Sequence, residues 1–406
     1  MTVDVTRATG TGARVDVIGA RAVIAVAALS VALFVCTTVE SLPVGLLPQI
    51  AHGLGVSLSS AGLLVTGYSL VVTTAAVPLT AATRRVPRRR LLAVTLGVYT
   101  TGTLLCAAAP GYAFLFSARV VIALTHAVIW SVVAATAAGM FPERVRAKVV
   151  AALFTGSSLA QVAGVPAGTW LGQQTGWRIP FLVAGVLGLA AGSTVVALLP
   201  SAPVEVNPAA TAPEPSRLRF GLLVSVIAVV IAGFFAFYTY VTVFLTRVSG
   251  MSPHSVSAVL AVGGVAGLLG TTASGVLSDR SARATMTGSV ALVTAALALL
   301  AAAGSRAVVA VAAVALLSLA MAAMITALTS RILRIAPGSV DIASAGGSAA
   351  FNAGIAAGSL LGGQLLNAHG PRSAALVGAC LAAAGLAALL AEDLLVSSFS
   401  GPRPSR

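Results

Sequence analysis

The stretch LFVCTTVESLPVGLLPQIA, Leu33 to Ala51, continues an apolar run that starts near Ala22, and Glu40 sits inside it, about eighteen residues in. A carboxylate that deep in an apolar helix is costly unless a function requires it. Similar runs recur along the whole chain, each close to the roughly 20 residues that a bilayer-spanning helix needs. Strand-type alternation is absent, which argues against a membrane β-barrel. Of the 406 residues, 58% are hydrophobic and only 8% are charged. A soluble domain carries about 25% charged residues, so this chain could not cover its surface in water. The expected fold is an all-α membrane protein.

Working outward from Glu40, the apolar runs read as twelve helices, over 22–48, 57–82, 91–109, 113–140, 148–172, 179–199, 220–246, 255–277, 286–304, 307–330, 343–367 and 373–396. The first run is too long for a cleavable signal peptide and lacks a cleavage site, so it is expected to act as the insertion signal and stay. Placing the N-terminus inside puts nineteen of the 24 basic residues on inner segments and leaves Arg178, Arg247, Arg306 and Arg372 outside, with Arg119 inside helix four. That asymmetry is the positive-inside signature and sets both termini in the cytoplasm. The net charge of +14 is therefore a topology signal, and no basic face with readable aromatics suits a nucleic-acid partner. The cluster RRVPRRR, 84–90, is placed to touch anionic lipid headgroups. The expected setting is a multi-pass protein of the plasma membrane, of the bacterial inner-membrane kind, working as a monomer in the lipid bilayer.

Nine of the ten acids fall in inner loops, tails or their edges, and only Glu40 lies within a spanning run. Glu40 lies roughly 5–12 Å from the outer end of helix one and Arg119 roughly 9 Å from the outer end of helix four. The depths match, which allows either a proton-coupled pair or a static pair that locks two helices. Cys36, Cys106 and Cys380 lie in apolar runs without metal or redox spacing and read as packing residues.

The chain also repeats. Gly164, Gly168 and Gly172, followed by Gly176-Trp177-Arg178, correspond to Gly354, Gly358 and Gly362, followed by Gly370-Pro371-Arg372. Thr83 to Arg85 corresponds to Asp279 and Arg280. Two six-helix pseudo-repeats are expected, 1–199 and 220–406, joined by a cytoplasmic linker rich in Pro and polar residues at 200–219. Parallel repeats around a central site are the plan of one large transporter class.

On these residues the chain resembles the major facilitator superfamily, in its drug/proton-antiporter branch, and most of all the sugar-efflux (arabinose-efflux-like) and chloramphenicol-efflux proteins. The matching stretches are ESLPVGLLPQIAHGLGVSLSSAGLLVTGYSL, RRVPRRRLL, ARVVIALTHAVIWSV and AGVPAGTWLGQQTGWR in the first half, with GVLSDR and the Gly-rich helix eleven in the second. The resemblance implies gating by the loop after helix two, whose family pattern is Gly-x-x-x-Asp-Arg. Here Leu79 and Thr83 stand where that pattern has Gly and Asp, ahead of Arg84, while the second copy is complete at Gly275, Asp279 and Arg280. Asp279 is then either an inner-gate contact or a solvated loop acid. The resemblance also makes Gly164, Pro166, Gly168 and Gly172 an antiporter hinge. The same residues equally serve static close packing, because small residues let helices approach and Pro lacks an N–H.

Arg119, Ala123, His126 and Trp130 share one face of helix four. His126 is a proton relay, with an ordinary pKa near 6.5, or a hydrogen-bonded structural histidine. In helix seven, FFAFYTYVTVF, Phe234 and Tyr238 share one face and Tyr240 another. Such rings suit an amphipathic organic ligand or an interfacial belt, and the resemblance favours the ligand. Tyr68 and Asn352 complete the expected substrate-contacting set with Trp130. Lys148 is the only lysine, so no P-loop exists. Four scattered histidines and one buried acid supply no catalytic or metal constellation, so no enzyme and no cofactor are expected. The expected activity is export of a small organic solute, a sugar or a drug such as chloramphenicol, in exchange for protons. Glu40 would carry the proton, with Arg119 and His126 beside it. The alternative is an uptake symporter or facilitator of the same fold, ahead of a membrane enzyme or a receptor.

Overall fold

The computed structural model describes residues 9–83, 85–199, 215–338 and 340–392. In chain order they form α1 (Thr9–Gly45), α2 (Leu47–Leu54), α3 (Leu58–Thr83), α4 (Arg88–Ala107), α5 (Tyr112–Ala138), α6 (Glu143–Leu159), a π-helical turn (Ala160–Gly164), α7 (Val165–Thr175), α8 (Arg178–Leu198), α9 (Arg217–Tyr238), α10 (Val241–Arg247), α11 (Pro253–Ala303), α12 (Ala307–Ile335), α13 (Val340–His369) and α14 (Pro371–Leu390). No strand occurs among the described residues. Among the described residues, eleven helical stretches are long and apolar enough to cross a membrane.

Where the helices break, the local sequence explains it. Pro43 and Pro48 bracket the end of α1. Each removes an amide from the helical ladder and frees the carbonyl four residues earlier. The single run expected over 22–48 is therefore split, and α2 closes on Gly55 in the left-handed region at φ 63°. The π turn ends just before Pro166, where a widened turn relieves the clash between a proline ring and the carbonyl four residues back. Between α9 and α10, Thr239 Oγ1 bonds Ser359 Oγ at 2.7 Å and Tyr240 donates to the Ser359 carbonyl at 3.1 Å, so the break is tied to α13.

α11 holds both helices expected over 255–277 and 286–304, joined across a kink at Ser281. A straight helix of its 51 residues would measure about 77 Å, more than twice a hydrocarbon core. The helix is interrupted at Ser281, at φ −159° and ψ 98°. There the Ser281 hydroxyl accepts from the Ala284 amide at 3.2 Å, as an N-cap does. The chain reverses at that point, because Gly304 returns to accept a bond from Ser249 Oγ at 2.6 Å, next to where α11 began.

Two groups of helices result. In the first, α1 packs on α6 and α8, α4 on α5 and α8, and α3 on α5; in the second, α9 packs on α13 and α14, and α11 on α12 and α14. The glycine stripe of the π turn and α7 faces α1, where a side chain at Gly164 would collide with Thr38 and Phe34. The corresponding stripe of α13 faces α9 more closely still, because a Cβ at Gly358 or Gly362 would strike the backbone of Ala232 or Ala236.

The groups meet where α3 packs on α13 and where the π turn and α7 pack on α11. Four hydrogen bonds between described residues join them. Asn367 donates to Ser59 Oγ at 2.9 Å, Gln173 to the Pro253 carbonyl at 2.7 Å and Thr242 to the Val44 carbonyl at 3.3 Å, and Gln174 meets His254 at 3.2 Å. All four lie at the end of the bundle that carries α2. A shared apolar cluster of Leu47, Ala51, Ala61, Tyr240, Val243 and Leu366 closes the same end.

Candidate functional site

The site begins with the carbonyl that Pro43 frees. Its residue is Val39, and Arg119 on α5 takes it: Nη1 donates to Val39 at 3.1 Å, Nη2 to the Glu40 carbonyl at 3.2 Å and Nε to the Leu64 carbonyl of α3 at 3.3 Å. The guanidinium also lies over the Tyr68 ring, 4.8 Å from its centre. A planar fork of five N–H donors can serve three acceptors on two helices at once. Arg119 is only 1% exposed and thus clamps α1 and α3 to α5.

Arg119 and Glu40 do meet, but through the backbone. The Glu40 carboxylate turns instead to His126, with 3.8 Å between Oε2 and Nε2, and its side chain is 30% exposed. His126 stands edge-on to Tyr68 at 5.4 Å and stacks at a tilt on Trp130 at 5.6 Å, which continues to Phe154 of α6 at 5.7 Å. Along this α5 face, exposure rises from 1% at Arg119 through 7% at His126 to 36% at Trp130. The face therefore opens away from the α2 end. Tyr68 Oη, His126 Nδ1 and Thr37 Oγ1 are buried without hydrogen-bond partners among the described residues. The arrangement offers one accessible carboxylate beside an imidazole and an aromatic ladder.

The other sequence-selected residues lie apart from this cluster. Phe234 stacks on Tyr238 at 4.8 Å, with Phe235 against both, inside the second helix group. Tyr240 is buried in the closure at the α2 end, with its ring against Gly62 and Gly363. Asn352 donates to the Ser348 carbonyl one turn back, at 3.0 Å. Asp279 and Arg280 are exposed just before the Ser281 break, one turn beyond Gly275. Arg84 and residues 200–214 of the linker lie outside the described residues, and Arg217 to Arg219 open α9.

Sequence reasoning passed over a second buried cluster. α12 runs to Ile335, beyond the expected end at 330. Arg331 thereby enters the core, where Nη2 donates to both Glu392 oxygens at 2.6 and 2.7 Å. Arg283 Nε lies 3.6 Å from the same carboxylate. The available signal was an acid inside the apolar run expected over 373–396, but it reads as an edge residue when helix ends are soft.

The described residues form a helical bundle with two packing groups, long apolar helices and a polar cluster between them. A sequence profile of the Major Facilitator Superfamily matches residues 29–340 and 223–405, and the chain belongs to that superfamily. It is 40% identical over 177 residues to the uncharacterized MFS-type transporter YtbD of Bacillus subtilis, covering 44% of this chain and 45% of the relative. It is 38% identical over 162 residues to the inner membrane transport protein YdhP of Escherichia coli K12, covering 40% and 42%. It is 34% identical over 212 residues to a probable sugar efflux transporter of Mannheimia succiniciproducens, covering 51% and 53%. The matched segments thus span about half the length of these relatives.

Solved structures share the fold. A bacterial homologue of the human lysosomal transporter Spinster, inward-facing and unoccupied, aligns with a TM-score of 0.66 at 15% identity, covering 91% of this chain and 94% of that one. The human organic anion transporter MFSD10 aligns with 0.65 at 17% identity, covering 91% and 99%. The chain therefore belongs to this superfamily by its sequence and shares the superfamily's multi-pass helical fold.

Proposed function

We propose that this transporter exports a small organic solute in exchange for protons, by alternating access of two six-helix halves, with Glu40 as the proton carrier. The observation that carries the reading is the pairing at the site. Glu392 is buried at a helix end against Arg331, which leaves Glu40 as the acid well inside a spanning run. Its carboxylate is accessible and faces His126, while Arg119 is committed to backbone carbonyls. Neutralising Glu40 removes the only accessible charge in this cluster, which is a change that proton and substrate can trade.

The reading counts α11 as two crossings, which makes twelve, and places both termini in the cytoplasm by the positive-inside asymmetry. The α2 end then faces outward. Closure there, and the graded exposure of the α5 face, suit a state open to the cytoplasm. The likeness to the probable sugar efflux transporter of Mannheimia supports efflux and a sugar as the first substrate to try. Trp130, Phe154 and Tyr238 supply rings for the apolar face of a sugar or an amphenicol. The protein is taken as a monomer in a bacterial inner membrane.

Proteoliposomes holding the purified chain test this. An imposed proton gradient should drive uphill movement of a sugar or an amphenicol against the direction of proton flow. Solute movement in the same direction as the protons, or indifferent to the gradient, would favour symport or facilitated diffusion instead.

A further inference from the structure

The opening stretch carries a second proline whose consequence lies outside the site. Pro48 leaves the Val44 carbonyl without the amide that would close the helical turn on it. Val44 is 5% exposed and belongs to the core cluster of the second helix group, with Val241 and Phe244. A carbonyl buried there needs a donor. The donor comes from the other half: Thr242 of α10, 2% exposed, gives its hydroxyl to the Val44 carbonyl at 3.3 Å.

The position of that bond is what matters. It sits where α1 breaks into α2 and where α9 breaks into α10, so each half contributes an interrupted helix. It lies beside Tyr240, whose ring occupies space that Gly62 on α3 and Gly363 on α13 leave open. The remaining bonds between the halves, at Ser59, Gln173 and Gln174, are exposed side-chain contacts. Exposed contacts exchange with water at little net cost, whereas a buried carbonyl stripped of its donor is penalised.

We propose that the Thr242–Val44 hydrogen bond is the latch that holds the α2 end shut, and that Thr242 is a positioning residue for the transport cycle. The inference rests on the alternating-access reading above. When the halves part at this end, water reaches both groups and replaces the bond. The latch therefore favours the closed state only while that state excludes water. Thr242 acts through Val44 and touches no substrate.

Spin-label distances on the full chain in lipid nanodiscs test the latch, in a Cys380→Ser background, since Cys36 and Cys106 are buried. One label pair, His52→Cys with Arg306→Cys, reports the α2 end, and a second, Arg90→Cys with Arg334→Cys, reports the opposite end. Thr242→Val keeps the shape and deletes the donor. It should raise the population open at the α2 end about tenfold relative to the closed one. The second pair should shorten in the same proportion. Thr242→Ser should restore the parent ratio. Pro48→Ala, which supplies the Val44 carbonyl with an amide of its own chain, should shift the ratio in the same direction as Thr242→Val. Unchanged distances in Thr242→Val, in a parent that shows two populations, overturn the latch alone. Lengthening at the α2 end without shortening at the other marks local loosening and also overturns it. A parent with a single distance at both pairs overturns the latch together with alternating access.

Discussion

Replacing Arg119 by Met should destabilise the protein by several kcal/mol, and the pattern of rescue identifies the reason. The side chain makes three hydrogen bonds to backbone carbonyls and one cation–π contact. Polar contacts between membrane helices are worth about 0.6–1.7 kcal/mol each, and a desolvated cation–π contact about 1–2 kcal/mol. The total is about 3–7 kcal/mol, read as the shift in an SDS unfolding titration of the solubilised protein. Arg119→Lys keeps the charge but lacks the fork, and should recover no more than about a third of the loss.

The decisive comparison is with Pro43→Ala. An amide at position 43 gives the Val39 carbonyl a helical donor, so Arg119→Met should cost about 1 kcal/mol less in the Pro43→Ala background. The same cycle run with Glu40→Gln should be additive within about 0.5 kcal/mol. If Glu40→Gln instead rescues Arg119→Met while Pro43→Ala does not, the carbonyl clamp is wrong and the pair acts as carboxylate and guanidinium.

Three further outcomes follow from the packing and the topology. Gly164→Leu or Gly168→Leu should insert normally and abolish turnover, because α1 fills the space, and wild-type transport in either variant would remove the hinge reading. Glu392→Gln should lower stability by about 3–5 kcal/mol, the loss found when one partner of a buried ion pair is removed, and an unfolding midpoint equal to that of the parent would contradict it. Cysteines placed at 83–90 or 200–219 should resist a membrane-impermeant maleimide added to intact cells, and labelling of either segment would invert the topology.

What was legible in the sequence was the part written in run length and sign of charge. Apolar runs of spanning length gave the helical membrane fold because a bilayer admits little else, and the glycine repeat pointed to helix faces that do pack closely, on α1 and on α9. The face that carries Arg119, His126 and Trp130 was visible from helical spacing. The partner of Arg119 was not, because pairing side chains by charge ignores carbonyls as acceptors. Counting four residues back from Pro43 would have found Val39. The same count from Pro48 reaches Val44. Tyr240 was read as a ligand ring because aromatic residues near a cavity and at a seal look alike in sequence; only the glycines at 62 and 363 distinguish them, and they lie far apart along the chain. Glu392 was missed because its burial depends on where α12 and α14 end, and helix boundaries are the least certain part of any pattern.

The central claim is that Glu40 couples transport to protons, and one measurement reaches it directly. Glu40→Gln keeps the shape and hydrogen-bonding capacity beside His126 and removes the titration. In proteoliposomes with an imposed proton gradient, the variant should fail to move substrate uphill while still exchanging labelled for unlabelled substrate across the membrane. Uphill transport by Glu40→Gln at the parent rate, with the parent pH dependence, would contradict the account and pass the proton to another group, His126 first.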